Sequence, residues 1–98
     1  MEDITRATVF LRGDVQGVGM RWWVRARALE LGLAGHARNT DDGRVEVVAQ
    51  GPRDRVEELL RLLVEQPSTR RRPGTVVGAS HPVVVDRPPG PLAGFAER

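Results

Sequence analysis

Thr8-Val9-Phe10-Leu11-Arg12-Gly13-Asp14-Val15-Gln16-Gly17-Val18-Gly19-Met20-Arg21 is the stretch that decides the fold. Its first four residues are β-branched or large and apolar, and they read as a short strand. Gly13, Gly17 and Gly19 then interrupt that pattern. From Arg21 to Leu33 there is no proline and no glycine before Gly32, and Trp22, Ala26, Leu29 and Leu33 recur at helical spacing. A second stripe, Met20, Val24, Ala28 and Leu31, fits nearly as well, so the helix over 21–33 is expected to be largely buried against a sheet. A strand, a glycine-rich turn and a helix, in that order, put the helix's first amides at the turn, where they lack intrahelical acceptors. The positive end of the macrodipole gathers there, and glycine at positive φ lets the backbone direct its amides inward. The segment is therefore a candidate anion site. Such turns also serve packing alone.

Outward from this stretch, residues 35–39 form a short extended piece and Thr40-Asp41-Asp42-Gly43 carries Asp-Gly turn chemistry. Residues 44–49 alternate Val45 and Val47 with Glu46 and Val48, which predicts a hairpin. Gly51-Pro52 punctuates the chain, and Val56, Leu59, Leu60 and Leu63 mark the buried face of a second helix. Its start offers Asp54 and Glu57 as a capping box, with Pro52 at the first helical position as the competing start. Residues 66–74 read as a loop, and 75–77 and 82–85 as strand material interrupted by Gly78-Ala79-Ser80-His81. The tail from 87 to 98 holds three prolines, which predicts an irregular closing segment docked by Leu92 and Phe95. Strand, helix, strand, strand, helix, strand is the split β-α-β arrangement called ferredoxin-like. The expected class is α+β (βαββαβ), a four-stranded antiparallel sheet with two helices on one face.

A chain of 98 residues suits one domain over 1–98 and is too short for two cores. It contains no cysteine, which removes disulfides, thiolate metal sites and cysteine nucleophiles and fits a reducing, cytoplasmic setting. No apolar run approaches the ~18 residues of a membrane span, and the polar start shows no targeting pattern. All 15 basic residues are arginine, yet the formal net charge is only +2, which argues weakly for a nucleic-acid partner. The one basic cluster, Arg70-Arg71-Arg72, reads as a solvated turn. An RNA-recognition sheet would need exposed aromatics, and the candidate central strands carry only Phe10. His36 and His81 lack ligand spacing and take structural or surface roles, and Asp41-Asp42 reads as a solvated turn pair. Trp22 and Trp23 read as core and partly exposed packing residues, with one of them able to wall one side of a pocket.

Arg21 sits where a cation opposes the helix dipole, at a cost of about 0.3–1 kcal/mol, so its placement asks for an anionic partner. A guanidinium fork matches two phosphate oxygens. Asp14 or open water are the alternative fates of its charge. Asn39, by residue type alone, suits a turn before Thr40-Asp41-Asp42-Gly43.

Leu11-Arg12-Gly13-Asp14-Val15-Gln16-Gly17-Val18-Gly19-Met20-Arg21 resembles the first signature of the acylphosphatase family. Gly35-His36-Ala37-Arg38-Asn39-Thr40-Asp41-Asp42-Gly43-Arg44-Val45, with Gly51 six residues later, resembles the second. The resemblance implies hydrolysis of an acyl phosphate to a carboxylate and inorganic phosphate, with no metal, cofactor or covalent intermediate. It assigns phosphate binding to Arg21, water orientation to Asn39, and the amide cradle to Val15, Gln16, Gly17, Val18, Gly19 and Met20. The expected partner is that small-molecule substrate, with no nucleic acid or membrane, in a monomer. The alternative is a non-catalytic anion-binding or accessory module of the same fold, and, less favoured, an RNA-binding one. His36 stands where the family usually has a large aromatic residue, Met20 where phenylalanine is commoner, and residues 70–98 depart from its usual final strand.

Overall fold

Alternation along the first strand, β1 (Ile4–Asp14), divides the molecule into two sides. Thr5, Ala7, Val9 and Leu11 are buried, whereas Arg6, Thr8 and Phe10 between them are only partly covered. The hairpin expected from the Asp-Gly turn is present as β2 (Ala34–Asn39) and β3 (Val45–Pro52). It pairs Ala37 with Val47, and β3 pairs antiparallel with β1 through Val9 and Val47. The inward residues Val45, Val47, Ala49 and Ala37 continue the buried face begun on β1. The computed structural model describes residues 3–88, 90 and 92–98; Met1 and Glu2, and Pro89 and Pro91 of the tail, lie outside the described residues.

Two helices cover the buried face, α1 (Met20–Glu30) and α2 (Arg53–Val64), packed on the sheet and on each other. In α1 the stripe that reaches the core is Met20, Val24 and Ala28, joined by Trp23. Of the competing stripe, Trp22 and Leu29 are exposed and Ala26 is half-buried, while Leu33, beyond the helix end, is buried in the core. The two stripes differ by little in apolar content, and packing of α1 on the sheet and on α2 decides which one is buried. α2 buries Val56, Leu59, Leu62 and Leu63, while Leu60 lies at the margin. It starts at Arg53 with Pro52 at the N-cap and no side-chain cap, so the expected capping box of Asp54 and Glu57 does not form. No helix among the described residues is long and apolar enough to cross a membrane.

The sheet is larger than expected and is mixed, which corrects the four antiparallel strands. Its order is β4-β1-β3-β2-β6, with β5 also on β1. β1 is 11 residues long, more than one short strand covers. β4 (Thr75–Ala79) pairs antiparallel with its second part, Leu11 to Asp14, and β5 (Val83–Asp86) with Thr5 to Thr8. At the break, Ser80 bonds Phe10 through both its N–H and its hydroxyl, and Pro82 has no N–H to continue a ladder. The tail then crosses to the far edge, where β6 (Phe95–Glu97) runs parallel to β2. Phe95 docks in the core as expected, whereas Leu92 stays exposed. Backbone bonds from Gly35 N to Gly94 O (2.9 Å) and Arg98 N to Ala37 O (2.8 Å) close that edge.

On the uncovered side of the hairpin, His36 Nε2 lies 3.0 Å and Arg38 Nε 2.7 Å from Glu46 Oε1. Burial raises the Glu46 carboxyl, but the hydrogen bonds from His36 and Arg38 outweigh it and hold the group below its ordinary value of 4.5. The folded chain therefore binds fewer protons at Glu46 than the unfolded chain does. The stability this supplies is present above the ordinary carboxylate range and is lost as pH falls through the lowered pKa. Urea midpoints of wild type and Glu46→Gln between pH 6 and pH 3 should converge as the pH falls; a gap that stays constant would remove this linkage.

Candidate active site

The turn from β1 into α1 bends at Gly17 (φ 74°) and Gly19 (φ 87°), both in the left-handed region. Nothing crowds the position of a side chain at either residue, so backbone direction and not space demands glycine there. Gly19 is the N-cap of α1, no side chain caps the helix, and its first turn contains no acid. The first amides and the positive helix end are thus left for another acceptor.

Beside them lies a cavity of about 60 Å³. Val15, Gly17, Gly19 and Met20 line it from the loop, Arg21 and Trp22 from α1, Asn39 from the end of β2, and Glu97 from β6. Larger hollows elsewhere on the surface contain neither Arg21 nor Asn39. Arg21 does not pair with Asp14. Its Nη1 donates to the backbone oxygen of Arg98 at 2.7 Å, and among the described residues it has no carboxylate side chain as partner. Since Arg98 N–H in turn donates to Ala37 O, the closing residue bridges the strand that carries Asn39 and the helix that carries Arg21. Arg25 Nε adds a bond to Phe95 O at 3.1 Å.

Asn39 ends β2 opposite Val45, and its Oδ1 is buried without a hydrogen-bond partner. An unpaired buried acceptor costs about 1–3 kcal/mol, so this atom asks for a donor. One wall of the cavity therefore offers a guanidinium and uncapped amides, and another a bare amide oxygen. Such an arrangement can hold a tetrahedral anion and a water molecule side by side.

Gln16 and Val18, both expected in the cradle, do not line the cavity. Val18 packs against the core. Gln16 Nε2 instead donates to Thr40 O and Arg44 O, each at 2.8 Å, clasping the loop to the hairpin turn just after Asn39. Both acids of that turn are exposed, as a solvated turn pair is, and Asp42 also accepts from the Thr40 hydroxyl and from Arg44 Nε. The Thr40 bond, against a smaller contrary effect of burial, holds the Asp42 carboxyl below its usual range.

The arginine cluster is likewise tied down in part. Arg70 pairs with Glu30, and Arg72 donates to Leu62 O and Glu65 O. Trp23 is buried, donates from Nε1 to Arg70 O at 2.8 Å and carries the Arg27 guanidinium 5.5 Å from its ring centre. Among the described residues no group of three acidic or imidazole side chains is placed to hold a metal ion. Sequence reasoning missed Glu97, which lines the cavity, and Arg98, whose oxygen accepts from Arg21; both lie in a tail whose sequence carries no periodic signal.

The acylphosphatase family model matches residues 7–77. An acylphosphatase of Corynebacterium efficiens is 56% identical over 98 residues, covering 98% of this chain and 94% of that protein. The crystal structure of acylphosphatase from Bacillus subtilis superposes with a TM-score of 0.73 at 26% identity, covering 96% of this chain and 98% of that one. An acylphosphatase structure from Coxiella burnetii gives a TM-score of 0.72 at 29% identity, covering 98% of this chain and 94% of that one.

Two hydrogen bonds of ordinary worth depend on the Gln16 amide, so Gln16→Leu should cost about 1–3 kcal/mol. Urea unfolding measures that loss. Amide exchange at residues 17–20 should quicken beyond the global effect, and exchange that tracks global stability alone would show that the clasp does not hold the loop.

Proposed function

The chain belongs to the acylphosphatase family and hydrolyses acyl phosphates to a carboxylate and inorganic phosphate, and from that premise we propose that Arg21, the loop amides and Asn39 carry the reaction. In this reading residues 1–98 act as one acylphosphatase-like domain. The Arg21 guanidinium and the backbone of Val15, Gly17, Gly19 and Met20 grip the phosphoryl oxygens, and the Asn39 amide aims a water at phosphorus from the opposite side.

The chemistry asks for little more. An acyl phosphate is a mixed anhydride whose leaving group is a carboxylate, stable as an anion near neutral pH, so expulsion needs no general acid. The barrier lies in bringing water in line with phosphorus and in stabilising charge on the equatorial oxygens. Water attacks phosphorus, the bond from phosphorus to the acyl oxygen breaks, and the water's proton passes to a phosphoryl oxygen. The carboxylate leaves with the bonding electron pair. Asn39 suits the nucleophile's side because its oxygen accepts from water and the amide does not titrate.

The observation that carries the reading is the unpaired, buried Asn39 Oδ1 on the same small cavity as Arg21 and the uncapped start of α1. The bond from Arg21 to Arg98 O supports it too, because it restrains the guanidinium before any substrate arrives. The carbonyl oxygen of Arg98 takes one of the guanidinium's five donors and leaves the others for phosphate.

Hydrolysis of benzoyl phosphate, with inorganic phosphate as competitor, tests these roles. Arg21→Gln should lose both turnover and phosphate inhibition. Asn39→Ala should lower kcat by roughly 10²–10³ with a much smaller change in the inhibition constant of phosphate. A near-normal kcat in Asn39→Ala would remove Asn39 from the mechanism.

A further inference from the structure

We infer that Trp22 is the shelf on which the acyl part of the substrate rests, and that it biases the enzyme toward acyl phosphates whose acyl group is flat, apolar and uncharged. The inference rests on the phosphate site proposed above and extends it from the phosphoryl group to the group being released.

Size comes first. The cavity of about 60 Å³ is small beside the hollows of about 440 to 500 Å³ elsewhere on the surface. It suits a phosphoryl group and leaves no room for an acyl group as well. The acyl group must therefore lie outside it, against whatever borders the opening.

Trp22 lines that cavity and is 62% exposed, the one large exposed apolar side chain among the described residues to do so. The other exposed apolar residues, among them Leu29, Val64, Val77 and the valines of β5, line other surfaces. Nor does the fold need Trp22 for packing. The inward side of α1 is supplied by Met20, Trp23, Val24 and Ala28, and the neighbouring Trp23 is only 2% exposed with its N–H bonded to Arg70 O. Two adjacent indoles thus have opposite fates: one completes the core, and the other stands beside Arg21 with its surface open to solvent.

An indole covered by a planar apolar group gains both the area it buries and the preference of ring systems for stacked or edge-to-face contact. Glu97 lines the same cavity from β6 and adds a negative charge, which disfavours an acyl chain bearing its own carboxylate. The substrate class follows from the pair: an aromatic or branched apolar acyl group is held, a small one such as acetyl gains little, and an anionic one is opposed.

Steady-state kinetics with benzoyl phosphate and acetyl phosphate, on wild type, Trp22→Ala and Trp22→Phe, test the shelf. Trp22→Ala should raise KM for benzoyl phosphate about tenfold with a smaller change in kcat, while kcat/KM for acetyl phosphate falls by less than about threefold. Trp22→Phe, which keeps a ring, should recover most of the lost selectivity. Equal loss on both substrates, or no change on either, would overturn the shelf, since a fold defect or a disturbed phosphate grip lowers both together. Arg21→Gln separates the two layers of the argument. It should lower kcat/KM for both substrates together, and an Arg21→Gln enzyme of wild-type activity would instead sink the phosphate site and the geometry built on it.

Discussion

The site depends on a helix that begins without a cap. Gly19, in the left-handed region, hands the chain into α1 with no side-chain acceptor for the first amides and no acid to balance the dipole. The fold then sets a cation, Arg21, in that first turn, where it opposes the dipole by about 0.3–1 kcal/mol. On the facing strand, Asn39 Oδ1 is buried with nothing to accept from. Each of these would be a defect elsewhere. Gathered on one cavity they amount to a set of unsatisfied groups that the proposed phosphate and water would satisfy together, as expected where a protein trades stability for binding.

Such a collection stays in place only if its neighbours are stiff. β1 enters the turn from a buried strand paired on both sides, and Met20 and Val24 anchor the start of α1 in the core. Gln16 joins the turn to the hairpin, which ties the loop to the strand end carrying Asn39. The tail completes the frame: β6 lies along β2 and presents Arg98 O to Arg21. The guanidinium is thereby restrained by a backbone atom.

Adjacent tryptophans on α1 show how the same arrangement divides work between fold and substrate. A helix turns by about 100° per residue, so with Trp23 and Val24 both directed to the core the residue before them is carried away from it. With Trp23 committed to the core by its hydrogen bond to Arg70 O, Trp22 is turned away from the core and lies at the cavity. Selectivity for the acyl group then rests on a side chain the fold can spare.

Local pattern determined much of this protein. Alternation in β1 and β3, the Asp-Gly turn, two helical periodicities and the glycines before α1 are short-range signals, because pleat, helix pitch and positive φ act within a few residues. The family signatures singled out Arg21 and Asn39 through residue type and spacing alone. Tertiary structure decided the remainder. Which of two near-equal stripes on α1 faces the sheet, how β4 and β5 share the long edge of β1, and the parallel addition of β6 to β2 all depend on contacts between residues far apart in the chain. The same holds for the placing of Glu97 at the cavity and of the Arg98 oxygen against Arg21, and for the opposite fates of Trp22 and Trp23. Long-range pairing and competition for one core leave no periodic mark on the sequence, so these features arise only once the chain has closed on itself.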